Sequence, residues 1–464
     1  MKIIQGLDQA KEFLLTGRGL NLDNVPPHIQ EGIQKVFGSP MTPAEVVRHI
    51  LDRVRNEGDA AVRDLTSKLD GSDIEDMEVP PSAIKAAYDQ VSEELVEALI
   101  VAAQRIRNFH EACMPKGWTD FKEGYGQIVN AVRSAGAYVP GGTALYPSTV
   151  LMTAIPARVA GVEEVIVCTP TRGGEMPSPA VLVAADIAGV DRIFRIGGAQ
   201  AIAAMAYGTQ SVPRVDTICG PGNIFVTLAK KQVYGEVGID GLYGPTETVV
   251  IADETSNPTL CAVDLLAQAE HDVLAKPVLI TNSIRLAEEV NKEVQSRLER
   301  LDRGAIAKAS TELQGCIAVV ADMDEALELA NAFGPEHMCL MMDNPWDYLG
   351  SVRNAGAVFL GEFSHEVLGD YVAGPSHVMP TAGTARFNSG LGVHSFLKIS
   401  PIVAVSDATS TEISKAASVI GRAEGLTAHA EAAEIRDELR GQFFRLRPKP
   451  SPPAYCCPTS PHLP

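Results

Sequence analysis

With 464 residues, 45% of them hydrophobic, the chain is long enough for about three domains with sizeable cores. Its formal net charge of -19 sets up a field that repels phosphate backbones and anionic lipid, which excludes nucleic acid and membrane surfaces as expected partners and leaves a small polar molecule as the expected substrate. The N-terminal MKIIQGLDQAKEF turns polar after four residues and no later segment approaches about twenty uninterrupted apolar residues, so a cytoplasmic protein is expected.

In chain order, residues 1 to about 110 read as helical scaffold. Thr42-Pro43 opens one helix with apolar positions at Val46, Ile50, Leu51 and Val54, Gly58 begins another, and Pro81 to about His110 reads the same way. From 138 to 243 strand and helix alternate. Apolar runs at Val165–Cys168, Arg192–Ile196 and Val215–Cys219 are followed by helical stretches, with Gly197-Gly198 and Gly220-Pro221-Gly222 at two of the joins. This rhythm predicts parallel β-α-β units. The joins suit a phosphate at a helix N-terminus, and equally suit tight turns needed only for packing, because the dinucleotide fingerprint Gly-x-Gly-x-x-Gly is absent.

The alternation resumes after 244. Strands are expected at Thr248–Ala252, Pro277–Thr281, Ile317–Val320, Met338–Met342 and Ala357–Leu360, with helices starting near Pro258, Ser283, Met323 and Asn344. Residues 361–400 then lose apolar periodicity, and a loop that long inside a domain is usually functional. A last helical stretch runs from about Thr411 to Gln442, broken at Gly425, before a Pro-rich tail from Arg447 that cannot sustain helix or sheet. The eight cysteines, at 113, 168, 219, 261, 316, 339, 456 and 457, form no spaced CxxC pair, so a disulfide scaffold is not expected.

On the helix begun by Asn257-Pro258, Gln268 and His271 lie three apart and project from one face. Such a pair is an ordinary polar helix face, or half of a metal site that needs further ligands. Candidate partners stand in three places: Glu336-His337 at a helix-to-strand turn, Asp370 through His377 in the irregular loop, and Glu424 through His429 near the C-terminus. Each alone has a plainer role as a cap, an Asx-turn or a surface residue.

Together, in this order, they resemble the histidinol dehydrogenases, zinc-dependent NAD enzymes of the last step of histidine biosynthesis. The resemblance covers about residues 40–440 and rests on Tyr138-Val139-Pro140-Gly141-Gly142, Tyr146-Pro147-Ser148-Thr149-Val150-Leu151-Met152, Gly197-Gly198-Ala199-Gln200-Ala201-Ile202-Ala203, Gly220-Pro221-Gly222-Asn223, Gln268-Ala269-Glu270-His271, Gly334-Pro335-Glu336-His337 and Gly369-Asp370-Tyr371. It implies Zn2+ held by Gln268, His271, Asp370 and His429, with Glu336 and His337 as the acid–base residues. It further implies NAD contacts by Tyr138, Gln200 and Asn223, and substrate contacts by Thr246, Glu424 and His377, along with the metal ligands and His337.

The same resemblance implies an α/β fold of two similar, incomplete Rossmann-like domains with helical N- and C-terminal segments. Its expected division is an arm (1–25), a discontinuous α/β domain with the metal site (26–137 and 245–391), an NAD-binding α/β domain (138–244), a C-terminal helical segment (392–446) and a disordered tail (447–464). A homodimer with shared active sites is implied, in which Glu424 and His429 act in trans. Thr246 replaces the usual serine, Ser376 stands where asparagine is common, and His394-Ser395 occupies a place where an aspartate before the Phe is common. These departures flank the pocket, so the expected oxidation of L-histidinol through L-histidinal to L-histidine has an alternative: the same chemistry on another small polar alcohol, such as a sulfonated diol.

Overall fold

Two parallel sheets carry the chain, and both are wound in the same order. The computed structural model describes residues 1–20, 22, 27–141 and 145–443; Gly142, Cys456, Cys457 and the expected disordered tail lie outside the described residues. The five-stranded sheet runs Arg192–Phe194, Glu164–Cys168, Ser134–Tyr138, Thr217–Cys219, Gly238–Ile239. The six-stranded sheet runs Lys2–Gln5, Cys316–Val319, Lys276–Thr281, Glu247–Ala252, His337–Met341, Ala357–Leu360. Every pairing within them is parallel. In each, the chain builds three strands to one side and then returns to lay two on the other, so the direction of winding switches next to Ser134–Tyr138 and next to Glu247–Ala252. This is the α/β fold of Rossmann-like units that the alternation predicts.

Strands buried on both faces read as continuous apolar runs, as in TVVIA at 248–252, where every residue is buried. The helix Pro147–Ala160 is apolar around its circumference and buried along most of its length, because it packs between the five-stranded sheet and the helices Pro179–Ala188 and Glu93–Ala112. The Thr42 side chain and Glu45 form a reciprocal capping box that starts Pro43–Glu57 at the expected residue.

Three features depart from the expected plan. Residues 2–5 form the edge strand of the six-stranded sheet, in register with Cys316–Val319, rather than opening a helical arm; four residues are too few to show a period in sequence. The helices between 43 and 112 pack on the five-stranded sheet. Val47, Ile50 and Val54 share a core with Phe194 and Ile202, and Leu99 and Ile106 share one with Ile155, so the helices of 43–112 pack with 138–244. The nominally irregular 361–400 contains a short helix, Glu366–Tyr371, and two 3-10 turns.

Residues 115–129 and 399–443 form a second compact unit. An antiparallel sheet, ordered Leu397–Val403, Tyr125–Ala131, Trp118–Asp120, supplies its strands. Its helices Asp407–Ala423 and Thr427–Phe443 are separated by Gly425 at φ 77°, the left-handed stop expected there. Arg422 closes this hairpin with a bidentate contact to Glu434. Among the described residues no helix is long and apolar enough to cross a membrane.

Candidate active site

Thr246, one residue before the central strand Glu247–Ala252, stands at the centre of the site. Its hydroxyl is 2.6 Å from Glu336 Oε2 and 2.8 Å from Gln268 Oε1. The Gln268 amide lies 3.4 Å from Asp370 Oδ2, and His337 Nε2 lies 3.4 Å from Asp370 Oδ1. The cluster sits at the amino ends of the parallel strands: His337 begins its own strand, paired with Thr248 and Ala357, and the helix Pro258–Ala269 runs back along the sheet to deliver Gln268 there. The helix ends at Ala269 with Glu270 as its cap, so His271 does not share a helix face with Gln268 as expected but lies in the turn that follows, exposed to solvent and within the field of Asp370 and His337. The structure thus brings together Thr246, Gln268, His271, Glu336, His337 and Asp370, which lie up to 124 positions apart (370 − 246).

Burial and charge set the protonation of this group. Burial pushes the Glu336 carboxyl up to about 7, against the pull of His337, the Thr246 hydroxyl and the Glu247 backbone N–H. Burial alone would lower His337, but the carboxylates of Asp370, Glu336 and Glu366 outweigh it and raise its affinity for a proton. For Asp370 the neighbouring imidazoles outweigh burial and hold the carboxyl below its ordinary range. Both ring nitrogens of His337 are buried without a well-aligned hydrogen-bond partner. An orphaned imidazole between two carboxyls is poised to exchange protons with a substrate.

The donor set fits a metal ion. A hydroxyl has one proton, so Thr246 cannot donate both to Gln268 Oε1 and to Glu336 Oε2. Turning the amide over resolves this: Nε2 donates to Thr246, Thr246 donates to Glu336, and the amide oxygen then faces Asp370, an arrangement of two oxygens that calls for a cation between them. Gln268, Asp370 and His271 would supply three ligands. Among the described residues no group of three or more His, Cys, Asp or Glu side chains is gathered for a metal.

Other expected residues fall differently. His377 has both nitrogens engaged: Nδ1 is 2.8 Å from the Asp370 carbonyl, so it carries the hydrogen, and Nε2 accepts from the Thr149 hydroxyl at 3.0 Å. As placed it ties down the Asp370 backbone and offers no free nitrogen to a substrate. Glu424 and His429 lie in the second compact unit, both exposed, at the end of one helix and in the first turn of the next. Tyr138 and Asn223 stand at the carboxyl ends of the two strands that flank the winding switch of the five-stranded sheet, where open α/β sheets bind ligands. Asn223 is exposed and caps its helix through Oδ1, leaving its NH2 free. Gln200 is 0% exposed and Tyr138 3%, and the Tyr138 hydroxyl accepts from the Gly198 N–H at 3.1 Å.

Several supporting groups escaped the sequence reading. Arg18 forms a two-pronged ion pair with Glu247 at 2.8 and 2.7 Å and also donates to the carbonyls of Phe333 and Gly334, clamping the turn that presents Glu336. Lys230 and Asp240, both buried, staple Gly220, whose φ of 106° and contact with the Tyr138 carbonyl admit only glycine. Glu366, wholly buried, accepts from the Thr248 hydroxyl at 2.6 Å beneath His337.

A Rossmann-like α/β protein with a buried histidine–glutamate pair at the end of its parallel sheet is of the oxidoreductase class. The family model described as histidinol dehydrogenase matches residues 39–437. Among similar proteins, the histidinol dehydrogenase of Dehalococcoides mccartyi is 50% identical over 443 residues, covering 94% of this chain and all of the relative. That of Moorella thermoacetica is 51% identical over 398 residues, covering 84% and 94%. The crystal structure of histidinol dehydrogenase from Elizabethkingia anophelis superposes with a TM-score of 0.87 at 33% identity, covering 95% of this chain and 99% of that one. The chain belongs to the histidinol dehydrogenase family.

Proposed function

We propose that the protein oxidises L-histidinol through L-histidinal to L-histidine, with two hydrides passing to NAD. The observation that carries this reading is the junction at Thr246, which joins the acid–base pair to the metal-ligand set. NAD, when bound, would supply the hydride acceptor, and Gln268, His271, Asp370 and His429 would hold a zinc ion that would supply a Lewis acid toward the substrate's polar groups.

The rest is done by the chain. His337 Nε2, facing Asp370, takes the proton of the substrate hydroxyl as the carbon loses hydride. Glu336, with its carboxyl near neutrality, takes a proton from the water that adds to the aldehyde, and Thr246 holds that carboxyl in place. His337 then takes the hydroxyl proton of the hydrate as the second hydride leaves. Each oxidation releases one proton and one hydride, and the added water supplies the second oxygen of the carboxylate. In the same reading the protein works as a homodimer whose subunits exchange Glu424 and His429.

The test is NADH formation at alkaline pH by zinc-loaded protein given L-histidinol. Two NADH per histidinol, abolished by a chelator, is the expected result. No turnover with zinc bound and the dimer intact would overturn histidinol as substrate, and a panel of small polar alcohols, sulfonated diols among them, would then identify the alternative.

A further inference from the structure

Asp70 is the last residue of the helix Asp59–Asp70, and it reaches the carboxyl edge of the five-stranded sheet. Its Oδ2 accepts from Gln200 Nε2 at 3.0 Å, and the Tyr138 phenol feels its charge. Gln200 stands in the first turn of the helix Gly198–Tyr207, directly after the Gly197-Gly198 join. Gln200 is 0% exposed while Asp70 is half-buried, so of this bonded pair the carboxylate is the more accessible to a ligand. Among the described residues Asp70 has no other hydrogen bond and no cationic partner, so Oδ1 is a free acceptor.

We infer that Asp70 selects NAD over its 2′-phosphorylated form, by accepting a hydrogen bond from the adenosine ribose 2′-hydroxyl and repelling a phosphate at that position. The inference rests on the proposed use of NAD. Three observations carry it. An acid at the carboxyl edge of a Rossmann-like sheet has the chemistry needed to read a ribose diol, since an ionised carboxylate only accepts. Here that acid comes from a helix that precedes the sheet: the joins Gly197-Gly198 and Gly220-Pro221-Gly222-Asn223 carry none, Glu175 lies on the surface of the loop after Glu164–Cys168, and Asp240 is held by Lys230 and the Gly220 N–H. The placement also runs against stability. A negative charge on the last turn of a helix opposes the helix dipole, and burial raises this carboxyl to about 6, still ionised at working pH. Gln200 compensates in part, and nothing else among the described residues does. Its second amide atom, Oε1, remains buried and unpartnered beneath Gly198, as expected if the role of Gln200 is to orient Asp70.

Asp70→Asn and Asp70→Ser test this with NAD and NADP as the two coenzymes and histidinol as substrate. The expected result is a fall in the NAD-to-NADP ratio of kcat/KM by about tenfold or more in both, the size of one hydrogen bond to a charged group, carried by KM for coenzyme with KM for histidinol unchanged. NADH and NADPH binding, followed by fluorescence on the same proteins, gives the ratio for a variant whose turnover is impaired. An unchanged ratio in variants that bind NADH overturns the inference and leaves the use of NAD intact. A folded wild-type protein that binds neither dinucleotide overturns both.

Discussion

Thr246 and Glu336 meet through a 2.6 Å hydrogen bond that joins the approach to one strand of the six-stranded sheet to the amino end of the next. The contact orients the one carboxyl in the site whose affinity for protons lies near neutrality, and it does so from a hydroxyl that also touches the metal-ligand amide. Thr246→Val keeps the shape and removes the donor. Loss of a hydrogen bond to a charged group, about 1.5–3 kcal/mol, predicts a fall in kcat of about one to two orders of magnitude. Thr246→Ser should recover most of it. Steady-state rates of the three proteins decide the matter, and a Val variant as fast as wild type would remove Thr246 from the machinery.

His337 is the proposed base at both oxidations. His337→Asn should therefore lower turnover by about two to four orders of magnitude while zinc content stays at the wild-type level. Metal analysis alongside the rates separates loss of a base from loss of the metal.

Glu366 gives a pH signature. Its carboxyl is wholly buried, accepts from Thr248, and burial raises it to about 8, against the pull of His337. The folded value lies above that of a free carboxyl, so the native state binds the proton more tightly than the unfolded chain. Stability should fall as pH rises from about 4.5 through about 8, and stay low above that. Glu366→Gln carries no such charge, so its advantage over wild type in urea denaturation should grow between pH 5 and pH 8.5, reaching about 1–3 kcal/mol. A difference that does not change with pH would mean that the carboxyl is not protonated in the fold.

Arg18 and Glu247 are both nearly inaccessible, with side-chain exposures of 8% and 2%. Arg18→Met strands the Glu247 carboxylate, with Lys276 4.0 Å away as its remaining cation. A cost of about 3–5 kcal/mol in unfolding free energy is expected, and the double variant Arg18→Met/Glu247→Met should regain most of it. If the double variant stays as unstable as the single one, the clamp acts through packing on Phe333 and not through charge.

The β-α alternation was legible in the sequence because strands buried on both faces leave apolar runs that glycine and proline punctuate. Val165–Cys168, Thr248–Ala252 and Ala357–Leu360 all appear within a residue of their expected bounds. Gln268 and His271 could be read as neighbours because three residues of chain keep them close, although the helix stops at Ala269 and leaves His271 in the turn beyond it, and Glu336 and His337 because they adjoin. The edge strand Lys2–Gln5 was invisible, since its stability comes from pairing with Cys316–Val319, more than 300 positions away.

The same reason divides the site. Residue types, local spacing and the family's motifs named Thr246, Gln268, His271, Glu336, His337 and Asp370. Folding decided that Thr246 ties the amide to the acid, that His377 spends both nitrogens on Thr149 and Asp370, that Arg18 and Glu366 buttress the pair, and that Asp70 meets Gln200 at the other sheet. Most of those relationships are contacts between segments twenty to more than two hundred residues apart, and such a contact leaves no period in the chain that makes it.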